Sequence, residues 1–154
     1  MGNLKVVIAD DEERICQLIQ ALINWNRLGM EIAGMAHNGI EAFDVVQKVC
    51  PDILITDIRM PGLSGLELIE KVKEACPEVE IIIISGYAHF EYAQQAIRFG
   101  VGHYLLKPIN KAELTETLEK MKSKIGQRQE SERDKQVLIQ KAQKNEDYMR
   151  SKLL

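Results

Sequence analysis

The chain has 154 residues, 45% hydrophobic and 28% charged, enough for one globular domain with length to spare. Its formal net charge of −3 and pI near 5.7 exclude a whole-chain nucleic-acid footprint. The three cysteines, Cys16, Cys50 and Cys76, are odd in number and lack CxxC spacing, so reduced thiols rather than a disulfide framework are expected.

Strand-like and helix-like segments alternate five times. Met1-Gly2-Asn3 leads straight into Leu4 and a strand-like run from Lys5 to Ala9. No apolar stretch reaches the ~18 residues of a membrane span, so a cytoplasmic protein without a membrane partner is expected. Ile15, Leu18, Ile19, Leu22 and Ile23 recur at helical spacing, which predicts a helix from Glu12 to Leu28 stopped by Gly29. Glu31 to Ala36 reads as a weaker second strand. Asn38 is then the N-cap of a helix through Ala42, Val45, Val46 and Val49, ended by Cys50-Pro51.

Asp52 to Thr56 reads as the third strand, followed by the loop residues Pro61-Gly62-Leu63-Ser64-Gly65 and a helix from Leu66 to Ala75. Ile81 to Ile84 is an uninterrupted apolar run, the mark of a strand buried on both faces. A helix from Phe90 to Phe99 stops at Gly100, a fifth strand spans Gly102 to Leu106, and helix resumes at Lys111. Five β-then-α units imply an α/β fold with right-handed crossovers and a parallel sheet. The pattern does not fix the strand order. A flavodoxin-like doubly wound (βα)5 order, 2-1-3-4-5, places strands 1 and 3 side by side at the switch point.

That order has a chemical consequence. The first strand ends in Asp10-Asp11-Glu12, the third in Asp57 and the fifth in Lys107-Pro108. Three carboxylates and one ammonium then share the carboxyl edge of the sheet, where open α/β folds bind ligands. Crowded carboxylates repel one another and favour a divalent cation. Mg²⁺ suits such oxygen ligands: Asp11 and Asp57 directly, Asp10 through a water, and the backbone carbonyl of Arg59. Asp57 can accept a phosphoryl group as an acyl phosphate, with Lys107 a fixed positive charge and Ser85 a hydroxyl donor beside a permissive Gly86. Each residue alone has a plainer reading: strand-terminal Asp as a cap or turn former, Lys107 as a solvated lysine, Ser85 as a turn residue, Tyr104 as a half-buried strand aromatic. His37, His89 and His103 share no metal-ligand spacing and read as structural or surface residues.

Four pieces, Asp10-Asp11-Glu12, Pro51-Asp52-Ile53-Leu54-Ile55-Thr56-Asp57-Ile58-Arg59-Met60-Pro61-Gly62, Ser85-Gly86-Tyr87 and Tyr104-Leu105-Leu106-Lys107-Pro108, resemble the receiver domain of bacterial two-component response regulators. The resemblance covers residues 3–122. It implies that Asp57 is the phospho-acceptor, that Asp10 and Asp11 are the metal-binding acidic pair, and that Ser85 and Tyr104 are the switch hydroxyl and aromatic. It gives Arg59 and Tyr87 the tuning of phosphate lifetime, and Lys107-Pro108 a cis peptide. The implied partner is a sensor histidine kinase. The implied response alters the face made by the helix at 90–99, the strand at 102–106 and the helix from Lys111, with homodimerisation on activation.

Trp25-Asn26-Arg27-Leu28-Gly29-Met30, Asn38-Gly39-Ile40-Glu41-Ala42 and the run from Ser85 to Ala93 further resemble receivers of AraC-type transcriptional regulators. These bind DNA through an output domain, and residues 123–154 read as a helical extension towards one that lies outside this chain. From Leu114, an a/d series is apolar for two heptads, polar in the middle and partly apolar again at its end, so a coiled coil remains one option for the tail. Residues 110–154 carry 11 basic and 8 acidic side chains, a mildly basic tail on an acidic body.

Two other readings stand beside the switch, which is itself no dedicated enzyme. An aspartyl-phosphate hydrolase also places an Asp nucleophile at a strand end, but usually with a second acid two residues on, where this chain has Arg59. A pure dimerisation module with a vestigial acidic site is the third.

Overall fold

The structure, a computed structural model, describes residues 3–86, 90–98 and 100–130. The chain divides into two compact units, residues 1–118 and 119–154. The first unit holds five strands: β1 (Leu4–Ala9), β2 (Met30–Ala36), β3 (Ile53–Thr56), β4 (Glu80–Ser85) and β5 (His103–Leu106). All adjacent pairs are parallel and the order is β2-β1-β3-β4-β5, as expected.

The intervening helices are α1 (Glu13–Leu22), α2 (Trp25–Leu28), α3 (Gly39–Val49), α4 (Gly65–Ala75) and α5 (Phe90–Arg98). Residues 111–118 close the unit as α6. In the second unit, residues 119–130 are helical. The remainder of the tail heptad series, 131–154, lies outside the described residues, as do Tyr87, His89 and Phe99.

Alternation along the strands explains the three layers. Val7, Ala9, Leu54, Ile81 and Ile83 pack in one cluster with Ala42 and Val46 of α3, Leu68, Ile69 and Val72 of α4 and Ala96 of α5. Their neighbours Val6, Ile8, Ile53, Ile55, Ile82 and Ile84 point the other way and are equally buried. Each such aliphatic side chain contributes roughly 1.5–3 kcal/mol by leaving water, so both faces of the sheet must be covered.

The single helix expected from Glu12 to Leu28 is in fact two. Ile23 turns extended, and the Asn24 side chain accepts a 3.3 Å hydrogen bond from the Arg27 N–H, starting α2 afresh. The Trp25 indole N–H reaches back to the Gln20 carbonyl at 3.1 Å across the break. An N-cap residue inside an apolar helical pattern won over the periodicity. The other boundaries fall within a residue or two of expectation. Asn38 caps α3 by accepting from the Glu41 N–H at 2.8 Å, and Ser64 caps α4 by accepting from Glu67 at 3.3 Å.

Candidate functional site

The strand ends form the site because the sheet's hydrogen bonding continues one residue beyond the strands. The Asp10 N–H donates to the Ala36 carbonyl at 3.0 Å, and the Asp57 N–H to the Ala9 carbonyl at 3.0 Å. The Lys107 N–H donates to the Ser85 carbonyl at 2.8 Å. Each functional backbone is thereby pinned by a neighbouring strand. The Lys107-Pro108 peptide is cis, as the resemblance implies.

The side chains converge from those anchors. The Lys107 ammonium donates to Asp10 Oδ2 at 3.0 Å and to Asp57 Oδ2 at 3.1 Å, bridging the first and third strands. The second oxygens are held by backbone. Asp10 Oδ1 accepts from the Glu12 N–H at 2.9 Å, and Asp57 Oδ1 accepts from the Ile58 N–H at 2.7 Å and more weakly from Arg59 at 3.4 Å. Asp11, exposed at the mouth, completes a trio in which one carboxylate oxygen from each of Asp10, Asp11 and Asp57 lies within 4.8 Å of the others. A crevice of about 340 Å³ opens over them, lined by Asp11, Glu12, Asp57, Arg59, Ser85, Gly86 and Lys107.

Asp10 is only 2% exposed and Asp57 8%. Burial pushes the Asp10 carboxyl above the ordinary carboxylate range, and the Asp57 charge adds to this; the Glu12 N–H and Lys107 pull it back without cancelling the rise. Burial also works against the Lys107 ammonium, but its bonds to Asp10 and Asp57 outweigh that and hold it above its usual value. The lysine therefore stays charged where the three aspartates converge, with Glu12 and Arg59 also lining the crevice. The donors are all hard oxygens, so the trio fits a Mg²⁺-sized ion better than a soft metal.

Of the residues named from sequence, Asp10, Asp11, Asp57, Ser85 and Lys107 meet at this crevice, with Arg59 exposed on its wall. Tyr104 sits on β5 opposite Ile83, half-buried against the core cluster. Tyr87 lies outside the described residues. Two neighbours escaped the sequence reading of site residues. Glu12, seen there only within a motif, lends its N–H to Asp10. His37 Nδ1 lies 3.3 Å from the Asp10 carbonyl oxygen and 4.0 Å from Cys16 Sγ. Its one sequence signal is that it follows the last residue of β2.

Cys16 is fully buried, and its thiol donates to the same Asp10 carbonyl at 3.7 Å. Burial first, and then the Asp10 charge, push that thiol up to about 11. Two glycines shape the loop beside Asp57. A Cβ on Gly65 would stand 2.4 Å from the Asp57 carbonyl oxygen and 2.5 Å from the Ile58 Cα. A Cβ on Gly39 would meet the Leu63 carbonyl oxygen at 2.1 Å. Only glycine lets these helix starts approach the loop so closely.

Among the described residues, no helix is long and apolar enough to cross a membrane. Residues 6–119 match the response regulator receiver domain family. The transcriptional regulatory protein YesN of Bacillus subtilis, itself uncharacterised, is 43% identical over 117 residues, which cover 76% of this chain and 32% of that protein. HptR, a transcriptional regulatory protein of Staphylococcus aureus, is 37% identical over 110 residues, covering 71% of this chain and 43% of HptR. The chain thus spans about a third to about a half of the length of these curated relatives.

Among solved structures, the receiver domain of AraT, a response regulator from Geobacillus stearothermophilus, superposes with a TM-score of 0.78 at 41% identity, covering 82% of this chain and 98% of that one. A two-component transcriptional regulator AraC from Clostridium phytofermentans gives a TM-score of 0.77 at 34% identity, with 82% and 98% covered. The family match and the structural likenesses agree with the sheet order: the chain belongs to the response regulator receiver domain family.

Proposed function

We propose that this receiver is a phosphorylation switch in which Asp57 takes a phosphoryl group from a partner histidine kinase. The observation that carries the proposal is Lys107 bridging Asp10 and Asp57 beside Asp11, on a crevice whose volume of about 340 Å³ leaves room for a phosphoryl group. Asp57 attacks phosphorus with one carboxylate oxygen as the donor's bond to phosphorus breaks, and an acyl phosphate results. Such transfer needs alignment and compensating charge more than covalent assistance. The Ile58 N–H fixes one Asp57 oxygen, so the carboxylate presents its other edge to the crevice. Lys107 supplies positive charge to the incoming oxygens.

Asp10, Asp11, Asp57 and the Arg59 carbonyl are the groups that would hold Mg²⁺, which when bound neutralises charge on the phosphoryl oxygens. The exposed Arg59 and, beyond the described residues, Tyr87 tune how long the acyl phosphate survives water.

The response follows from charge. Phosphorylation adds nearly two negative charges and three acceptor oxygens. Ser85, buried at the end of β4, and Lys107 turn towards them, and Tyr104 follows into the space vacated behind Ser85. The outer face of α5, β5 and α6 changes, and a partner that prefers the new face stabilises it. The similarity to AraC-type and other transcriptional regulators supports a DNA-binding output domain as the final receiver of the signal, with residues 3–122 as switch and 123–154 as helical connection. Self-association of two phosphorylated copies belongs to the same reading.

Treatment with a small acyl phosphodonor and Mg²⁺, followed by intact mass, tests this. The parent chain gains one phosphoryl group and Asp57→Asn gains none. Persistent labelling of Asp57→Asn would defeat the assignment.

A further inference from the structure

The phosphoryl site leaves two cysteines unused, and the fold places them together. Cys50 is the C-cap of α3 and Cys76 the C-cap of α4. These helices are sequential crossovers packed side by side on one face of the sheet, so both carboxyl ends lie at the edge opposite Asp57. Each cysteine is anchored by its own backbone: the Cys50 N–H donates to Val46 at 2.8 Å and the Cys76 N–H to Val72 at 2.7 Å. Cys50 holds a left-handed conformation, φ 49°, that turns the chain away from α3. The segments that follow the two caps run side by side, the Glu80 N–H donating to the Asp52 carbonyl at 3.0 Å, while the Cys50 sulfur itself lies 3.7 Å from the Gln47 carbonyl oxygen. Cys50 is exposed, and Cys76 is partly buried against the aliphatic core.

We propose that Cys50 and Cys76 form an oxidisable dithiol, which a two-electron oxidant of the peroxide class converts to an intrachain disulfide. Cys50 is the sulfur a solute can reach. Its thiolate attacks one peroxide oxygen, the O–O bond breaks, and Cys50 becomes a sulfenic acid while hydroxide leaves with the thiol's proton as water. The Cys76 sulfur then attacks the Cys50 sulfur; the S–O bond breaks, and the departing hydroxide takes the Cys76 proton as a second water. Two thiols have lost two electrons and the peroxide has gained them.

Burial first, with Cys50 alongside, pushes the Cys76 thiol above its usual range, which suits a protonated resolving partner rather than the first nucleophile. Cys16 is excluded because it is fully buried with its sulfur against the Asp10 carbonyl. The ring so closed carries β3, Asp57, the following loop and α4, so the cross-link fastens the whole acceptor segment at its far end.

The test uses the full chain, dilute and free of reductant, exposed to hydrogen peroxide, quenched, alkylated with N-ethylmaleimide in urea and mapped without reduction. The expected result is a monomer lighter by two hydrogens before alkylation, one linked peptide pair joining Cys50 to Cys76, a single alkylated cysteine at Cys16, and full reversal by dithiothreitol. Cys76→Ser, an exchange at a partly buried helix cap that leaves α4 intact, should lose the linked pair and carry Cys50 on to sulfinic acid. Three results would overturn the proposal: sulfinic or sulfonic acid at Cys50 of the parent with Cys76 still alkylated, a disulfide between two chains in place of the internal one, or a linked pair that includes Cys16.

Discussion

Replacing Lys107 with Met removes the ammonium while keeping most of the stem. It leaves the Asp10 and Asp57 carboxylates without their shared partner, at 3% and 11% side-chain exposure. Removing one member of a buried ion pair costs roughly 3–5 kcal/mol, because the other charge stays desolvated and unpaired. Lys107 is itself 18% exposed and the crevice opens to solvent, so part of that is screened. We therefore expect a loss of about 2–3 kcal/mol in EDTA, a change of ~30- to 150-fold in the unfolding equilibrium.

The sign with pH also follows. Asp10 already sits above its ordinary 3.8, and without Lys107 two of the influences holding it down disappear. A carboxyl raised in the folded state binds protons there, so its contribution is greatest in acid and is lost as pH rises through its folded value. The variant's deficit should thus shrink towards acid pH. Mg²⁺ should also restore more stability to the variant than to the parent, since it meets a more negative site. Urea melts followed by circular dichroism, with EDTA or Mg²⁺ and at two pH values, measure all three effects. An unchanged midpoint in EDTA, or equal Mg²⁺ gains in both proteins, would refute the reasoning.

Gly65→Ala drives a methyl group into the Asp57 and Ile58 backbone, which cannot yield as a flexible side chain can; a loss of about 1–3 kcal/mol or more is expected in thermal melts. Asn38→Ala removes the cap of α3 and should cost about 1 kcal/mol in the same assay. Cys16, buried and with its thiol pushed up to about 11, should resist iodoacetamide at neutral pH while the chain is folded and react promptly in urea; equal rates in both states would contradict its placement. In metal-free alkaline melts, stability should fall as pH rises past the ordinary 10.5 of lysine and through the higher folded value of Lys107, because the ammonium that bridges two carboxylates is then lost; Lys107→Met should not show that step.

The sequence made the fold class legible through two periods. Ile81 to Ile84, with no polar break, required helices on both sides of a parallel sheet, and the structure buries all four side chains. Asp10, Asp57 and Lys107 were legible as strand endings, but their meeting depended on a strand order that the pattern left open and that chemistry suggested. What escaped was set by register and local competition. The break at Ile23–Asn24 arose because a cap side chain outcompeted one more helical turn. His37 reaches the Asp10 carbonyl through the β1–β2 pairing, whose register shifts between Val6 and Val7, and no local pattern announces such a shift. The nearness of Cys50 and Cys76 likewise needed the packing of α3 on α4.

Borohydride reduction of the phosphodonor-treated chain, followed by peptide sequencing, tests the account most directly, because an acyl phosphate on a carboxylate is reduced to an alcohol at that one residue. The account predicts homoserine in place of aspartate at position 57, dependent on Mg²⁺ and absent when EDTA is present. Reduction at another carboxylate, or phosphate retained on a hydroxyl or imidazole with position 57 unaltered, would contradict it.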